Sequence, residues 1–439
     1  MIVSFLVRSI KGSLIAKMLK KVGSPAIRLT DVIKMSKSYE LVVSIRDALT
    51  SSVSSSRVLA FLDRLCRVAP RSNMLSSKAY DLSRMVERPF QLITSPWALP
   101  LGMLFFFWLS LVRVSPNTIL LLYSVVISIS IAIAIASREE GLRVADTRSL
   151  VLLTGLLMFI IGYAAFVIQI SRVGGLPLLN DELRKGLSPL LNYLAWTTVP
   201  GTAFLLSSLD LRRCNAYALT VIGFLPSFFL AFRTEMIAYL LAVMVVLYHK
   251  ELIGKAHITL GLILAGVFFV GVGAIRSVTT GLVQDPILSV LYRPTITVAA
   301  LDTIVRLYGL RPVTGGWVHL AALSSLGLIR GTRYGPRTLI SIYTRGRRTV
   351  STTATLVGGP LLDWGLLGAL IVPFIIAYLM TLSYKISAQG KHLLGPYAVF
   401  YAYTLVGIET GILDINIYGY LLISSIIVIL SLRAGNEQD

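Results

Sequence analysis

The sequence predicts an all-α, polytopic integral membrane protein, and three observations support this fold class. The 439 residues are 55% hydrophobic and only 14% charged, whereas soluble domains carry about 25% charged residues. The mean hydropathy is +0.77. Apolar runs of about twenty residues recur along the chain, and a helix of that length crosses a bilayer. Because the lipid core offers the backbone no hydrogen-bond partners, these runs are expected to be helices.

Ten runs have no charge through their centres and are predicted to be transmembrane helices. They cover residues 96–112, 117–136, 149–170, 189–209, 214–232, 234–249, 256–275, 360–384, 393–412 and 415–432. The chain is therefore expected to have four regions: a basic N-terminal segment (1–95), seven helices (96–275), a large outer loop (276–359), and three helices with a short tail (360–439).

The net charge of +20 could suggest a nucleic-acid partner, but its distribution favours a membrane and no nucleic acid. Residues 1–95 hold seven Lys and nine Arg against six acidic residues, which is half of the excess. If the N-terminus is cytoplasmic, ten Lys and Arg fall at the inner side and five in the short outer loops, as the positive-inside rule requires. We therefore expect a protein of the cell (plasma) membrane with cytoplasmic termini. Cys66 and Cys214 then face the reducing side, where no disulfide is expected.

The predicted outer loop 276–359 is unusual because all of its basic residues are Arg. It has ten Arg, no Lys, and only Asp285 and Asp302 as acids. Arg holds phosphate with a planar fork of donors, whereas Lys is a point charge. A merely solvated basic surface would mix both types, and Lys is frequent in residues 1–40. The loop therefore predicts an anion site. The alternative interpretation is simple contact with lipid headgroups.

Several ionisable residues lie at the predicted outer side and are candidates for a functional site. Charges at helix ends are also common as side chains that reach the headgroups, so each residue alone is weak evidence. No Asp-x-Asp spacing occurs on the outer side and the four His are dispersed, so no metal and no other cofactor is expected. The candidates are Arg184, Arg233, Arg276, Arg333, Arg337, Asp363, Glu409 and His319.

Five stretches resemble, in order, the oligosaccharide repeat unit polymerases, the Wzy-like O-antigen polymerase group. The resemblance covers roughly residues 95–432. It implies a GT-C-like core of the Wzy or ligase type. The stretches are 174–184 (GGLPLL, then Arg184), 232–235 (FRTE), 314–337 (TGG, then GPR), 351–355 (STTAT) and 362–368 (LDWGLLG).

The resemblance also implies a reaction. Such enzymes transfer a glycan from a polyprenyl- or dolichyl-diphosphate carrier to a hydroxyl of the next lipid-linked repeat unit. A flippase or a chain-length regulator would be a further partner, besides membrane lipids. Arg side chains would stabilise the diphosphate leaving group without metal, and a carboxylate or imidazole would accept the proton. The expected roles are diphosphate binding for Arg276, Arg333 and Arg337, then Arg184 and Arg233, and base or Arg-orienting partner for Asp363 or Glu409, with His319 as another base.

Two alternatives share the same carrier. A flippase or other transporter of lipid-linked oligosaccharide should show internal repeats and charges at the midplane, and the sequence shows neither. A ligase that transfers finished glycan to another acceptor shares the reaction class, and sequence patterns do not separate it from a polymerase.

Overall fold

A computed structural model of the chain describes residues 91–253 and 286–436, apart from residues 111, 140, 141, 143, 145, 180, 349 and 350. Most of the predicted N-terminal segment, the predicted helix 256–275 and Arg276 lie outside the described residues.

The described residues form α-helices and two short 3-10 helices (Pro177–Leu179 and Lys391–Leu393), with no strand among them. The α-helices are α1 (Ala98–Leu109), α2 (Pro116–Arg138), α3 (Arg148–Val173), α4 (Asp181–Lys185), α5 (Pro189–Ala195), α6 (Thr198–Ser208), α7 (Arg213–Phe229), α8 (Arg233–His249), α9 (Pro286–Tyr308), α10 (Trp317–Ser325), α11 (Pro336–Arg345), α12 (Thr355–Ser387), α13 (Leu394–Thr410) and α14 (Ile415–Asn436).

Four of these helices are long and apolar enough to cross a membrane: α2, α3, α12 and the portion of α14 up to Leu432. Large apolar side chains such as Leu120, Ile127 and Leu153 are exposed on α2 and α3, as expected for surfaces that face lipid. The prediction of an all-α membrane protein is confirmed. Helices α1, α7, α8 and α13 coincide with predicted spans but have only 12 to 17 residues, so ten crossings stay a prediction.

Helices α6 and α13 form the centre of the bundle. Every residue of α6 is buried, and α3 packs along α6 just as α8 packs along α13. Gly201 lets α6 approach α3 closely, because a Cβ there would lie 2.7 Å from the Phe159 backbone nitrogen. Small residues at such crossings are typical of membrane helices. In α13 the buried hydroxyl of Tyr397 donates to the Thr94 carbonyl at 2.6 Å, so this polar tip is satisfied.

One predicted helix, 189–209, is in fact two helices. The chain turns between α5 and α6, where the Thr197 hydroxyl donates to the carbonyls of Met158 and Leu194, both at 2.7 Å. Such a side chain competes with the backbone for hydrogen bonds. Pro200 has no N–H to continue the helical ladder from α5. Hydropathy does not register this break, because the residues around it are apolar or small.

The predicted loop 276–359 is largely helical where it is described, since it contains α9, α10 and α11. The 23-residue α9 was missed because Arg293, Asp302 and Arg306 interrupt its apolar pattern. Asp302 is buried and accepts hydrogen bonds from Ser115 N at 2.7 Å and Thr118 Oγ1 at 2.8 Å. Burial opposes its ionisation, but these bonds and the charge of Arg306 hold the pKa of Asp302 below its usual value. Asp302 thereby pins α9 to the start of α2.

Charged residues at the predicted cytoplasmic end bind backbone carbonyls or form an ion pair. The Lys250 ammonium donates to the carbonyls of Leu206, Ser207 and Leu209 at 2.6 to 3.1 Å, which satisfies the free carbonyls at the end of α6. Arg148 pairs with Asp210 at 2.5 Å beside it. The candidate residues described next gather elsewhere, at the ends predicted to lie outside.

Candidate active site

A break in α12 builds the framework of the site. Gly365 has φ 64° and ψ −152°, a backbone region essentially restricted to glycine. The break frees the Leu362 carbonyl, which accepts from Thr314 N at 3.0 Å, while Leu366 N donates to the Leu310 carbonyl at 2.9 Å. These bonds dock the connector between α9 and α10 across the break. A Cβ at Gly365 would lie 2.7 Å from the Leu310 oxygen. Glycine is therefore required both by the backbone conformation and by the close approach of Leu310.

Asp363, two residues before this break, receives four hydrogen bonds. The Thr314 hydroxyl donates to it, Val318 N donates at 2.9 Å and His319 N at 3.0 Å. The fourth donor is His319 Nδ1. The two backbone donors belong to the first turn of α10, so Asp363 caps that helix with a carboxylate from another element. Asp363 itself is 1% exposed, and its donors fix both its position and that of α10.

The pairing with Asp363 sets the orientation of His319. A carboxylate only accepts hydrogen bonds, so Nδ1 carries a proton, and Nε2 is the basic nitrogen of the neutral tautomer. The imidazole lies between Trp364, with ring centroids 4.6 Å apart, and Tyr418 at 6.2 Å. Gly359 adjoins the ring, since a Cβ there would be in van der Waals contact with His319 Cε1, at 3.4 Å. The His319 side chain is 14% exposed. The result is an imidazole held in one orientation.

Arg337, in the first turn of α11, is linked to this pair through Asp414 and Tyr418. Its guanidinium forms an ion pair with Asp414, and Asp414 acts electrostatically on Tyr418, the residue that flanks His319. Arg337 is 26% exposed and Asp414 21%. Within the described part of the chain, the buried Nε of Arg337 has no hydrogen-bond partner. A guanidinium has five N–H donors, so Arg337 keeps donors for an anion besides Asp414.

A second cationic group adjoins the first. Arg293 of α9 pairs with Glu409 at the end of α13, at 3.3 Å. The charges of Arg293, Arg184 and Glu409 all act on Arg233, the first residue of α8. Three Arg and one carboxylate leave this group positive. Arg293 was not among the predicted site residues, because it belongs to a helix that the hydropathy pattern did not predict.

Glu235 connects the two groups through α8. It follows Arg233 by two residues and is 3% exposed. The Tyr403 hydroxyl donates to one of its oxygens at 2.6 Å, and Asn416 Nδ2 to the other at 3.4 Å. The charges of Asp414 and Arg337 also reach it. The start of α8 is therefore adjacent to both cationic groups, and Glu235 holds it against α13 and α14.

The structure brings most of the predicted residues together in these groups. Arg333 is exposed in the loop between α10 and α11, and Arg276 lies outside the described residues. Sequence reasoning missed Tyr418 and Arg293, and it quoted Thr314 only within a motif. Among the described residues, no three His, Cys, Asp or Glu converge as a metal site would need. The groups present suit proton transfer at His319 and anion binding by the Arg side chains. Six predicted residues thus fall into the two groups: Asp363, His319 and Arg337 in one, and Arg184, Arg233 and Glu409 in the other.

Comparison with known proteins gives this arrangement a context. The sequence model of the family described as "Putative O-antigen polymerase" matches residues 92–421, which is well over half of the chain. The chain belongs to the O-antigen polymerase family. This confirms the resemblance predicted from the sequence motifs. The family points to a glycosyltransferase-type membrane enzyme that polymerises lipid-linked oligosaccharide repeat units, with lipid as its environment.

A curated relative extends the family match without adding a function. The uncharacterized protein MJ0419 of Methanocaldococcus jannaschii is 31% identical over 270 residues, which is 61% of this chain and 73% of that protein. No solved structure matches the chain significantly.

Proposed function

We propose that this member of the O-antigen polymerase family joins polyprenyl-diphosphate-linked oligosaccharide repeat units, with His319 as the base and Arg side chains holding the diphosphate. The observation that carries the proposal is the His319–Asp363 pair, to which the Arg337–Asp414 ion pair is linked through Tyr418. In this proposal the imidazole acts as a base and the guanidinium as a donor to the diphosphate. Both roles suit glycosyl transfer from a lipid diphosphate, in which an acceptor proton must leave and charge develops on the leaving group.

The proposed reaction is a single displacement. His319 Nε2 accepts the proton of an acceptor hydroxyl, whose oxygen bonds to the anomeric carbon of the donor glycan. The bond from that carbon to the diphosphate oxygen breaks, and polyprenyl diphosphate leaves. Asp363 holds the imidazole in the required tautomer and stabilises the imidazolium that forms, as the carboxylate of a catalytic triad does. Asp363 is thus a positioning residue, and Glu409, engaged by Arg293, is proposed to orient Arg side chains.

Charge develops on the leaving diphosphate, so donors already aimed at it lower the barrier. Arg337 is the first candidate, because Asp414 holds its side chain in place and leaves donors over. Arg184, Arg233 and Arg293 form the adjoining positive group. Arg333 is exposed close by in sequence and Arg276 stays a candidate from the sequence alone. Low dielectric near the membrane strengthens such contacts.

The finer topology belongs to the same proposal. The reaction takes place at the outer leaflet of the plasma membrane, with both termini cytoplasmic, ten transmembrane helices and a GT-C-like core. The four regions keep their predicted bounds, 1–95, 96–275, 276–359 and 360–439. A flippase supplies the substrate, and a chain-length regulator is a further partner. The excess of Lys and Arg in the predicted inner loops over the short outer loops supports this orientation.

A deletion strain tests the proposal against its alternatives. If the protein is a polymerase, the deletion leaves single repeat units attached to their final acceptor, and long chains disappear. Unattached long chains would instead indicate a ligase. Carrier-linked repeats trapped on the cytoplasmic side would indicate a flippase.

A further inference from the structure

A cavity of about 290 Å³ opens between α10, α11 and the loop that joins them. Its size is near the lower end of the range for small-molecule sites, about 300–1,000 Å³. Its wall combines two aromatic side chains, two threonines, one aliphatic side chain and one glycine. The lining residues are Thr314, Trp317, Gly331, Thr332, Leu339 and Tyr343.

The cavity adjoins the His319–Asp363 pair through Thr314. The Thr314 hydroxyl donates its hydrogen to Asp363, so its oxygen keeps lone pairs that can accept from a ligand. Trp317 begins α10, the helix that carries His319. A ligand in this cavity would therefore contact Thr314, the residue that donates to Asp363.

The aromatic walls are held in place. A Cβ at Gly331 would collide with the Trp317 ring and lie 2.8 Å from Ser324 Oγ, so glycine lets the loop pack against the indole. The Ser324 hydroxyl donates to the Thr332 carbonyl at 2.6 Å and fixes that loop to α10. Trp317 is nevertheless 43% exposed. An immobilised, exposed indole beside a cavity offers a flat apolar surface at low entropic cost.

The opposite wall is built in the same way. The Tyr308 hydroxyl donates to the Tyr343 carbonyl at 3.0 Å, and the two rings meet edge to face at 6.1 Å. The Thr332 hydroxyl accepts from Tyr334 N at 3.0 Å, which leaves its own hydrogen to donate. The cavity thus presents an acceptor at Thr314 and a donor at Thr332 between two aromatic side chains.

We propose that this cavity binds a pyranose ring of the oligosaccharide substrate. A pyranose has an apolar face of C–H bonds that packs on an aromatic ring, and hydroxyls at its edge that both donate and accept. A diphosphate would not select this site, since the lining has no cationic side chain. The assignment rests on the proposed function, because the oligosaccharide is the substrate of that reaction.

The test compares variants at Trp317 in two assays. One assay follows polymerisation of the lipid-linked oligosaccharide extracted from the source cells. The other measures binding of two probes: the oligosaccharide released from that lipid by mild acid, and glycan-free geranylgeranyl diphosphate. Trp317→Leu removes the aromatic face, Trp317→Phe keeps one, and Trp108→Leu is the control, since Trp108 is exposed and stacks on Phe105 of α1.

Trp317→Leu is expected to raise KM and to weaken binding of the released oligosaccharide about three- to tenfold. The rate at saturation and binding of geranylgeranyl diphosphate stay near wild type, which excludes a general loss of fold. Trp317→Phe and Trp108→Leu keep the wild-type KM. If Trp317→Leu binds the released oligosaccharide as well as wild type does, the cavity proposal is wrong while the proposed function stands. If the wild-type enzyme itself extends no lipid-linked oligosaccharide, the proposed function fails, and the substrate assignment fails with it.

Discussion

In the proposed mechanism, His319 and Asp363 divide one chemical task between two side chains. The imidazole transfers the proton, and the carboxylate fixes its tautomer while it caps α10. Because a general base contributes about 10²- to 10⁴-fold to a rate, His319→Ala should lower kcat by a factor in this range. Asp363→Asn should lower it similarly, since an amide that donates to Nδ1 would turn the proton to Nε2. The measurement is the rate of chain extension by purified protein, with Asp210→Asn at the opposite end as control. Wild-type rates in both site variants would exclude His319 as the base.

A substitution of Arg337 can distinguish a specific anion site from a basic surface without a ligand. Arg337→Lys keeps the positive charge but loses the planar fork of donors. Loss of one such contact in the transition state should cost about 2–4 kcal/mol of barrier, by analogy with removal of one oxyanion donor, which is on the order of a hundredfold in rate. Arg345→Lys is the matched control, because Arg345 is an exposed residue of the same helix. Equal rates for the two variants would indicate that the Arg-rich region only contacts lipid headgroups.

At the scale of elements, the broken helix α12 decides where the site forms. Gly365→Ala places a Cβ in a glycine-only backbone region and 2.7 Å from the Leu310 oxygen, so the connector to α10 must move. Gly309→Ala also has positive φ, 66°, but a Cβ there meets no atom within 4 Å. We expect Gly309→Ala to cost about 1–2 kcal/mol of stability from strain alone. Gly365→Ala should cost clearly more and should also abolish activity. Thermal unfolding in detergent and the extension assay measure the two effects, and similar losses in both variants would argue against the docking role.

The helices themselves show what a hydropathy pattern predicts and what it misses. Long apolar runs such as α2 and α3 were predicted nearly to the residue, because lipid allows few alternatives for them. The turn before α6 was missed, because one threonine and one proline lower the mean hydropathy too little to interrupt the apolar run. Helix α9 was missed for the opposite reason. Its charges at Arg293, Asp302 and Arg306 suggest a loop until their partners are known. Arg293 and Asp302 have partners on other elements, and Arg306 pairs with Asp302 within α9.

The site follows the same logic. Outer helix-end charges at Asp363, Glu409 and Arg233 pointed to one end of the bundle, and the structure joins them into contacting groups. The role of His319 could not be derived from sequence, because its pairing with Asp363 spans 44 residues and depends on the break at Gly365. The short motif of aspartate, an aromatic residue and glycine in α12 marks this segment as a candidate site. It does not predict which histidine pairs with Asp363.

For the whole molecule, the distribution of charge predicts independence from metal ions. The described carboxylates nearest the proposed diphosphate already have partners: His319 for Asp363, Arg337 for Asp414 and Arg293 for Glu409. In the proposed mechanism, Arg side chains therefore take the place of a divalent cation as the counter-charge. Chain extension by purified enzyme should proceed unchanged in EDTA. Loss of activity that manganese or magnesium restores would contradict this, and Asp181 and Glu182 would be the first residues to examine.

The orientation in the membrane is the last consequence of the charge pattern, and two exposed positions can report it. Cys214 lies at the start of α7, at the predicted cytoplasmic end, and Ser351 lies between α11 and α12, at the predicted outer side; both are exposed. In a Cys66→Ser, Cys214→Ser background, Ser351→Cys should react with a membrane-impermeant thiol reagent in intact cells. Native Cys214, in a Cys66→Ser background, should react only after the membrane is permeabilised. The opposite pattern would place the Arg groups and His319 in the cytoplasm. It would then exclude transfer at the outer leaflet, whatever the chemistry of the site.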